Sequence, residues 1–295
     1  MAKRAIAVSL AAAATLAVPA EGAAPGGAAA PIPDFSGYWG RNSVDPAPPP
    51  SGAGPVTNKT RTFYMRIGDD TNPILKPAAA EAVKKATAVS ATGVNFATPS
   101  NQCWPMPPPY IWRSMGMQML QRPSEVIILY TVDQYVGRVR IGGAHPARVT
   151  PSWYGDSIGL YEGGTHVIDT VGIKPGRYGM VDNYGSPQTE ALHVVERVRL
   201  IDFEAAKQGM LRSEREGGRV EIEMGGASID ESYTGKGLQV TYTVEDSNVF
   251  TRPWSAEVTY RRALGGWGER ICADNPHNYI DGTDTDVPRA DRPDF

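Results

Sequence analysis

The chain has 295 residues, of which 41% are hydrophobic and 21% charged, so it contains enough apolar material for one large core. A formal net charge of −3 with no basic run lacks the electrostatic footprint of a nucleic-acid-binding protein. The 32 glycines and 25 prolines favour many turns over long helices.

The first residues carry the pattern of a secretory signal peptide. Lys3 and Arg4 form a short positive region, and an apolar stretch over residues 5–18 leads to a site of small residues. This order predicts a signal peptide over residues 1–20, with a buried N-terminal helix as the alternative. Residues 21–33 are rich in Ala, Gly and Pro and predict a flexible leader. We therefore expect a periplasmic or secreted protein with no transmembrane span in the mature chain.

One helix and one irregular stretch are predicted before residue 124. Pro77 is followed by AAAEAVKKA, and proline is well placed at the first position of a helix made of such residues. The run CWPMPPP at 103–109 cannot form regular structure, because its prolines lack backbone donors and restrict the backbone.

Aromatic and methionine side chains are concentrated around this proline-rich run. Methionine adapts to irregular apolar shapes and packs well on aromatic rings. We expect the stretch either to cover a pocket for a flat hydrophobic ligand or to fill one end of the fold as core. Together with two later aromatic residues, the candidate ligand-binding side chains are Trp104, Tyr110, Trp112, Met117, Trp153 and Tyr161.

The two cysteines, Cys103 and Cys272, are expected to form a disulfide, because an exported protein folds in an oxidising compartment. Closing so long a loop contributes about 4–5 kcal/mol to stability if the geometry is unstrained. A reactive thiol has little support, since the chain contains no CxxC pair.

Short segments of alternating polarity, separated by turn residues, follow residue 124 and predict β-strands. The predicted strands are residues 125–132, 135–141, 157–161, 165–171, 192–201, 219–224, 238–244, 255–262 and 267–272. Because alternating strands leave unpaired edges unless the sheet closes, we predict a mostly β fold: an antiparallel up-and-down barrel, lipocalin-like or related, with one or two short helices. This barrel is expected to form a single domain over residues 34–280, followed by a mobile acidic tail over 281–295.

The start of the predicted domain shows a short barrel motif. Gly37-Tyr38-Trp39, with Arg261 and Arg262 near the last strand, resembles the GxW start of lipocalin-like barrels. That resemblance implies a Trp that closes one end of the barrel with an Arg packed over it. An ordinary buried Trp is the alternative.

A second resemblance extends from residue 34 to residue 275. Its motifs are PDFSGYW at 33–39, CWPMPPP at 103–109, RPSEVIILY at 122–130, HPARVTPSWYGDSIGLYEGGTHVIDTVGI at 145–173, SPQTEALHVVERVRL at 186–200, FTRPW at 250–254 and ERICADN at 269–275. The chain resembles a family of secreted, functionally uncharacterised proteins of Gram-negative bacteria, which implies export and a β-rich fold. The family's central stretch commonly reads GHSIGxWEGDTLVVDT. Here Asp156 replaces the His, Tyr161 the Trp and Gly164 the Asp.

The candidate catalytic residues combine histidine, carboxylate and arginine within this β-rich stretch. Histidine has a pKa suited to proton transfer near neutral pH, and a nearby carboxylate can orient its ring. The candidates are His193, His145, Glu190, Asp156, Arg197 and Arg138. His166 lies on a hairpin strand and is expected to be a polar, outward-facing residue.

The strand over residues 192–201 offers two alternatives. Residues two apart share a face, so His193 and Arg197 point one way and Glu196 the other. Either the face of His193 and Arg197 lines a cavity, or that face is solvated, because Arg199 beyond them is hard to bury.

Motifs for metals are missing, because the sequence has no HxH or HExxH. The letters GDSIG at 155–159 fit GxSxG, but no serine has the context expected of a hydrolytic nucleophile. We therefore expect no metal and no cofactor. The leading hypothesis is a periplasmic enzyme acting on a small hydrophobic compound, with an aromatic one favoured, by acid/base chemistry of the lyase or isomerase type. His193 or His145 would transfer the proton, Glu190 or Asp156 would assist, and Arg197 or Arg138 would stabilise a developing oxyanion. The alternatives are a carrier that binds the same ligand without catalysis and an envelope interaction protein with a filled barrel, and the oligomeric state stays open.

Overall fold

The fold is a closed nine-stranded β-barrel. The computed structural model describes residues 31–42, 45–60, 65–113, 116–132, 135–215, 229–265 and 271–272. The strands are β1 (Gly37–Arg41), β2 (Gly116–Gln121), β3 (Glu125–Tyr130), β4 (Val136–Ile141), β5 (Asp156–Glu162), β6 (Thr165–Val171), β7 (His193–Ile201), β8 (Gly237–Glu245) and β9 (Trp254–Arg262). Two α-helices, α1 (Pro77–Ser90) and α2 (Phe203–Arg215), and a short 3₁₀ helix (Tyr110–Arg113) accompany them.

The strands follow one another around the barrel in chain order, and β1 pairs with β9 to close it. Every neighbouring pair is antiparallel except β4 and β5, which run parallel with Arg140 opposite Ile158 and Ile141 opposite Gly159. The predicted mostly β, closed barrel is confirmed, whereas the prediction that it is antiparallel throughout is wrong at this one pair. The physical reason is the connection over residues 142–155, which is too long for a tight hairpin and crosses over instead.

Alternation along the strands decides what fills the barrel. In β7, Val194, Glu196 and Val198 are buried, while Arg197 and Arg199 are exposed. β8 likewise turns its apolar side chains inward. Together with buried tryptophans on other elements, these side chains form one continuous core. Burying each large apolar side chain stabilises the fold by about 1.5–3 kcal/mol.

Trp39 of β1 is a buried residue that packs under an arginine of β9. Its Nε1 donates to the carbonyl oxygen of Phe35 at 2.9 Å, and the Arg262 guanidinium lies 4.4 Å from the ring centroid. Arg262 also donates to the carbonyl oxygen of Ser36 at 3.0 Å. Gly37 has a φ of +123°, and a Cβ there would meet Arg262 Nη1 at 1.8 Å, so the motif needs this glycine. The arginine packed over a tryptophan, which the GxW resemblance implies, is therefore present, while the resemblance itself stays a prediction.

The helix predicted from Pro77 is confirmed as α1, whereas α2 and β2 were not predicted. The sequence of α2 contains Gly209 and many charged residues, but the helix docks on β9 with Gly209 close to Thr259. β2 reads GMQMLQ, and methionine is a weak strand signal. The predicted signal peptide, residues 21–30 of the leader, the strand over 219–224, residues 267–270 of the last predicted strand and the tail lie outside the described residues.

The predicted disulfide is present. Cys103 and Cys272 are bonded with a Cα–Cα distance of 5.3 Å and a sequence separation of 169 residues. Such a bond fits a protein that folds in an oxidising compartment.

In the described part of the chain, no helix combines the length and the apolar character needed to cross a membrane.

Candidate functional site

A pocket of about 180 Å³ opens beside the parallel pair of strands. β4 pairs with β5 only through its last two residues, Arg140 and Ile141. The pocket lies next to the earlier residues of β4, from Val136 to Val139. We call it the seam pocket; it is lined by Pro108, Ile111, Ile128, Tyr130, Val136, Gly137, Arg138, Val139, Tyr154, Gly155, Ser157, Ile168 and Glu196. Its walls are mainly aliphatic and aromatic, with a few polar groups, which is the usual composition of a small-molecule site.

Glu196 supplies the carboxyl group of this pocket. It lies on the inward face of β7 and is 3% exposed. Burial raises its pKa to about 7, although the hydrogen bond that Trp112 Nε1 donates to Oε1 acts in the opposite direction. Glu196 is therefore able to give or accept a proton near neutral pH.

Aromatic residues hold the Trp112 indole beside this carboxyl. Its ring packs edge-on against Tyr130 and Tyr260, with centroid distances of 6.0 and 6.3 Å. The Tyr260 hydroxyl donates to the backbone carbonyl oxygen of Trp112 at 3.4 Å. Burial, reinforced by the charge of Glu196, raises the pKa of Tyr130 well above its usual value. The Tyr130 hydroxyl therefore keeps its proton and offers a donor beside the pocket.

Arg138 and Val136 mark the outer rim of the seam pocket, because both are exposed residues of β4 that also line it. Arg138 Nη2 donates to Glu125 Oε2 at 2.8 Å. Of the six predicted catalytic residues, Arg138 is the one that lines this pocket.

Three other predicted catalytic residues come together on the outer face of the barrel. His145 Nδ1 lies 2.7 Å from Asp156 Oδ2, and its Nε2 lies 3.4 Å from Asp169 Oδ1. His193 Nε2 lies 2.8 Å from the same Asp169 oxygen, and its Nδ1 lies 3.9 Å from Glu245 Oε2. We call this set, completed by Arg140 on Asp156, the His–Asp cluster. It connects the 142–155 crossover to the strands around it.

The charged groups of the His–Asp cluster mostly face one another, although His145 Nε2 is buried without a hydrogen-bond partner among the described residues. Arg140 binds Asp156 through two hydrogen bonds of 2.5 and 3.0 Å and, with a smaller effect from His145, lowers the pKa of that carboxyl. Each imidazole faces a carboxylate with both ring nitrogens. Within the described residues, no group of three or more His, Cys, Asp or Glu side chains is arranged to hold a metal ion. The cluster lies across β5 from the seam pocket, since Asp156 stands between the pocket-lining Gly155 and Ser157.

The other two predicted catalytic residues are not part of either group. Arg197 donates to Glu162 at 2.7 Å on the outside of the barrel. Glu190 is an exposed residue of the loop before β7. Of the two alternatives for this strand, the structure therefore has the solvated face with His193 and Arg197, and it is Glu196 that points inward.

None of the six predicted ligand-binding residues is among the residues that line the seam pocket. Trp112 contacts Glu196, whereas Tyr110 and Met117 are buried in the core. Trp104 and Trp153 pack edge-on at 5.4 Å in a separate aromatic group. Tyr161 packs against His166, with ring centroids 4.9 Å apart. The stretch after Cys103 is thus mostly core, and it contributes Pro108 and Ile111 to the pocket wall.

The expectation for His166 is wrong. Its side chain points inward and is 0% exposed, and burial lowers its pKa to about 4. The ring fits beside Gly159, where a Cβ would lie 2.6 Å from His166 Cε1. A neighbouring residue without a side chain is therefore what makes room for the histidine inside the barrel.

Sequence reasoning missed the pocket roles of Tyr130, Tyr154, Ser157 and Glu196. For Glu196 a signal was present, because it shares its strand face with Val194 and Val198. A carboxyl in the middle of an apolar face is an indication of a buried ionisable group.

Comparisons of the chain with protein-family models, with curated proteins and with solved structures each found no match. The resemblance to secreted proteins of Gram-negative bacteria therefore stays a prediction, and the function is argued from the site itself.

Proposed function

We propose that the protein is a periplasmic or secreted enzyme that acts on a small hydrophobic molecule, with an aromatic one favoured, by cofactor-free acid/base chemistry. The reaction takes place in the seam pocket and is of the lyase or isomerase type. The observation that carries this proposal is the buried Glu196 carboxyl in the pocket, with a pKa of about 7. A group that titrates near ambient pH is suited to general acid/base catalysis.

The pocket walls favour an apolar substrate. Ile128, Val139 and Ile168 contribute aliphatic surface, and Tyr130 and Tyr154 add aromatic rings. A flat ring system makes favourable edge and face contacts with such side chains, and it loses little conformational freedom on binding.

The proton step uses three groups of this chain. In the isomerase form, the Glu196 carboxylate removes a proton from a carbon beside a carbonyl group and returns it to a second carbon, so the substrate keeps its composition. The Tyr130 hydroxyl donates a hydrogen bond to the developing enolate oxygen. Trp112 stays bonded to Oε1 and holds the carboxyl group in place.

The His–Asp cluster has a positioning role in this proposal. His145 bonds the 142–155 crossover to Asp156 of β5 and faces Asp169 of β6. The crossover ends in Tyr154 and Gly155, which line the seam pocket. His145 and His193, first expected to transfer the proton, therefore support the wall of the site from outside.

The test compares E196Q with E190Q, which removes an exposed carboxyl outside the pocket. Both variants are incubated in D₂O with a panel of aryl ketones, and deuterium incorporation and product are followed by NMR. We expect E196Q to lower the rate by about 10²–10⁴ while its ligand affinity stays within about threefold. E190Q should match the wild type, and H145Q and H193Q should keep most of the activity.

Each outcome separates the proposal from its rivals. Full activity of E196Q would remove Glu196 from the chemistry. Saturable binding and thermal protection of the wild type, without exchange or product, would identify a carrier instead of an enzyme. If none of the panel binds, the envelope interaction role becomes the better explanation.

A further inference from the structure

We infer that the molecule bound in the seam pocket is an amphiphilic monoanion, with its carboxylate beside Arg138 at the rim and its apolar body directed inward. This inference rests on the proposed function of the pocket and adds the chemical class and orientation of its ligand. Two observations carry it: the charge balance at the rim and the acid in the interior.

The rim has an excess of positive charge. Glu125 is shared by two arginines: Arg138 Nη2 lies 2.8 Å from Oε2, and Arg122 Nη1 lies 3.4 Å from Oε1. Arg140, which follows Arg138 on the exposed face of β4, forms an ion pair with Asp156 that neutralises its charge. Three guanidinium groups therefore face two carboxylates, which leaves one positive charge for an anionic ligand to balance.

Arg138 is the arginine of this group that lines the pocket, and its side chain is 71% exposed. One of its terminal nitrogens is bonded to Glu125, and the guanidinium has further N–H groups to offer. A carboxylate at the rim keeps part of its hydration while it accepts a charge-assisted hydrogen bond from Arg138.

The interior imposes the opposite preference. Glu196 is buried and becomes negative as it gives up its proton, and a second negative group beside it is disfavoured because like charges repel strongly away from water. The ligand end near Glu196 must be neutral, with a carbonyl or hydroxyl group for proton transfer. Rim and interior together select a ligand with one acidic end and one neutral polar end, such as a hydroxylated or acylated arene carboxylic acid.

The experiment uses 4-acetylbenzoate and its methyl ester, which share the same ring and ketone and differ in charge. Binding is measured by calorimetry and by tryptophan fluorescence for the wild type, R138Q and R122Q. R122Q is the matched control, because Arg122 binds the same Glu125 but does not line the pocket. We expect the wild type to bind the acid about five- to tenfold more tightly than the ester, which is the range between an exposed ion pair and a charge-assisted hydrogen bond.

R138Q should lose this preference for the acid and leave the affinity for the ester unchanged. R122Q removes the excess rim charge but keeps the Arg138 donor in the pocket, so it should weaken the acid by less than R138Q does and keep the affinity for the ester within about twofold. The inference is overturned if wild type binds acid and ester equally, or if R122Q weakens the acid as much as R138Q. In either case binding of the ester leaves the proposed function standing. If neither probe binds, the inference and the proposed binding site fail together. E196Q reports on catalysis separately, since it should lower deuterium exchange without changing the acid-to-ester ratio.

Discussion

Replacing Glu196 with glutamine should stabilise the protein at alkaline pH and change little at acidic pH. Burial raises the pKa of Glu196 from 4.5 to about 7, so the folded state holds its proton more tightly than the unfolded state does. The contribution of the protonated carboxyl to stability is fully present below pH 4.5 and is lost as the pH rises through about 7. From pH 5 to pH 8 the wild type should lose about 2–3 kcal/mol of unfolding free energy through this group alone.

The E196Q variant has no such loss, since an amide stays neutral and its oxygen can still accept the hydrogen bond from Trp112. Urea denaturation at pH 5 and pH 8, followed by tryptophan fluorescence, gives the change in unfolding free energy for wild type, E196Q and the exposed control E190Q. Other titrating groups, including His166, contribute equally to all three proteins and cancel. An unfolding free energy of E196Q that changes between pH 5 and pH 8 as much as that of the wild type would refute the reasoning.

Three further predictions concern stability. Because burial lowers the pKa of His166 to about 4, its contribution is present above pH 6.5 and lost as the pH falls towards 4; the wild type should lose up to about 3 kcal/mol over that range and H166L much less, as measured by urea titration. Replacing both cysteines with serine should lower the unfolding free energy by about 4–5 kcal/mol, and an unchanged urea midpoint would argue against the loop-closure estimate. G37A should cost about 1–3 kcal/mol and weaken the packing of Arg262 on Trp39, detectable as a lower melting temperature and altered near-UV circular dichroism.

The barrel could be predicted from sequence because its strongest strands alternate cleanly. In β8 the apolar side chains at Leu238, Val240, Tyr242 and Val244 follow one face without interruption. β2 gave a weaker pattern, since methionines occupy the positions where β-branched residues give a clear strand signal. α2 packs on β8 and β9, a surface that exists only once these strands have paired.

The candidate site was predicted in part. His145, Asp156 and His193 do meet, but they do so outside the barrel, because β7 turns its other face inward. The apolar residues Val194, Val198 and Leu200 favoured burial of the face that carries Glu196, but the predicted catalytic histidine lies on the opposite face. The seam pocket depends on the length of the 142–155 crossover and on the register of one parallel pair, neither of which a periodic pattern contains.

The core side chains fill the interior of the closed barrel and leave little space for a ligand there. The seam pocket lies beside the parallel β4–β5 pair, where a ligand could bind without displacing core side chains. Substitutions at Gly137 can show whether ligand binding is lost while the stability of the fold is kept. Its φ lies outside the left-handed region, and a Cβ added there would have its nearest contact at 3.5 Å from a Tyr130 ring carbon, an ordinary van der Waals distance. Because Gly137 lines the pocket, the methyl groups of Ala and then Val would enter the space that a ligand needs.

We therefore expect G137A and G137V to keep unfolding free energies within about 1 kcal/mol of wild type, since replacing a strand glycine restricts the unfolded chain. Ligand affinity and deuterium exchange should fall stepwise, with G137V the weaker, and G164A in the β5–β6 hairpin should change neither. Calorimetric binding and urea denaturation of the same preparations separate the two effects. Wild-type binding by a folded G137V would mean that the ligand occupies another part of the molecule, because the valine side chain would stand in the pocket that the ligand is proposed to fill.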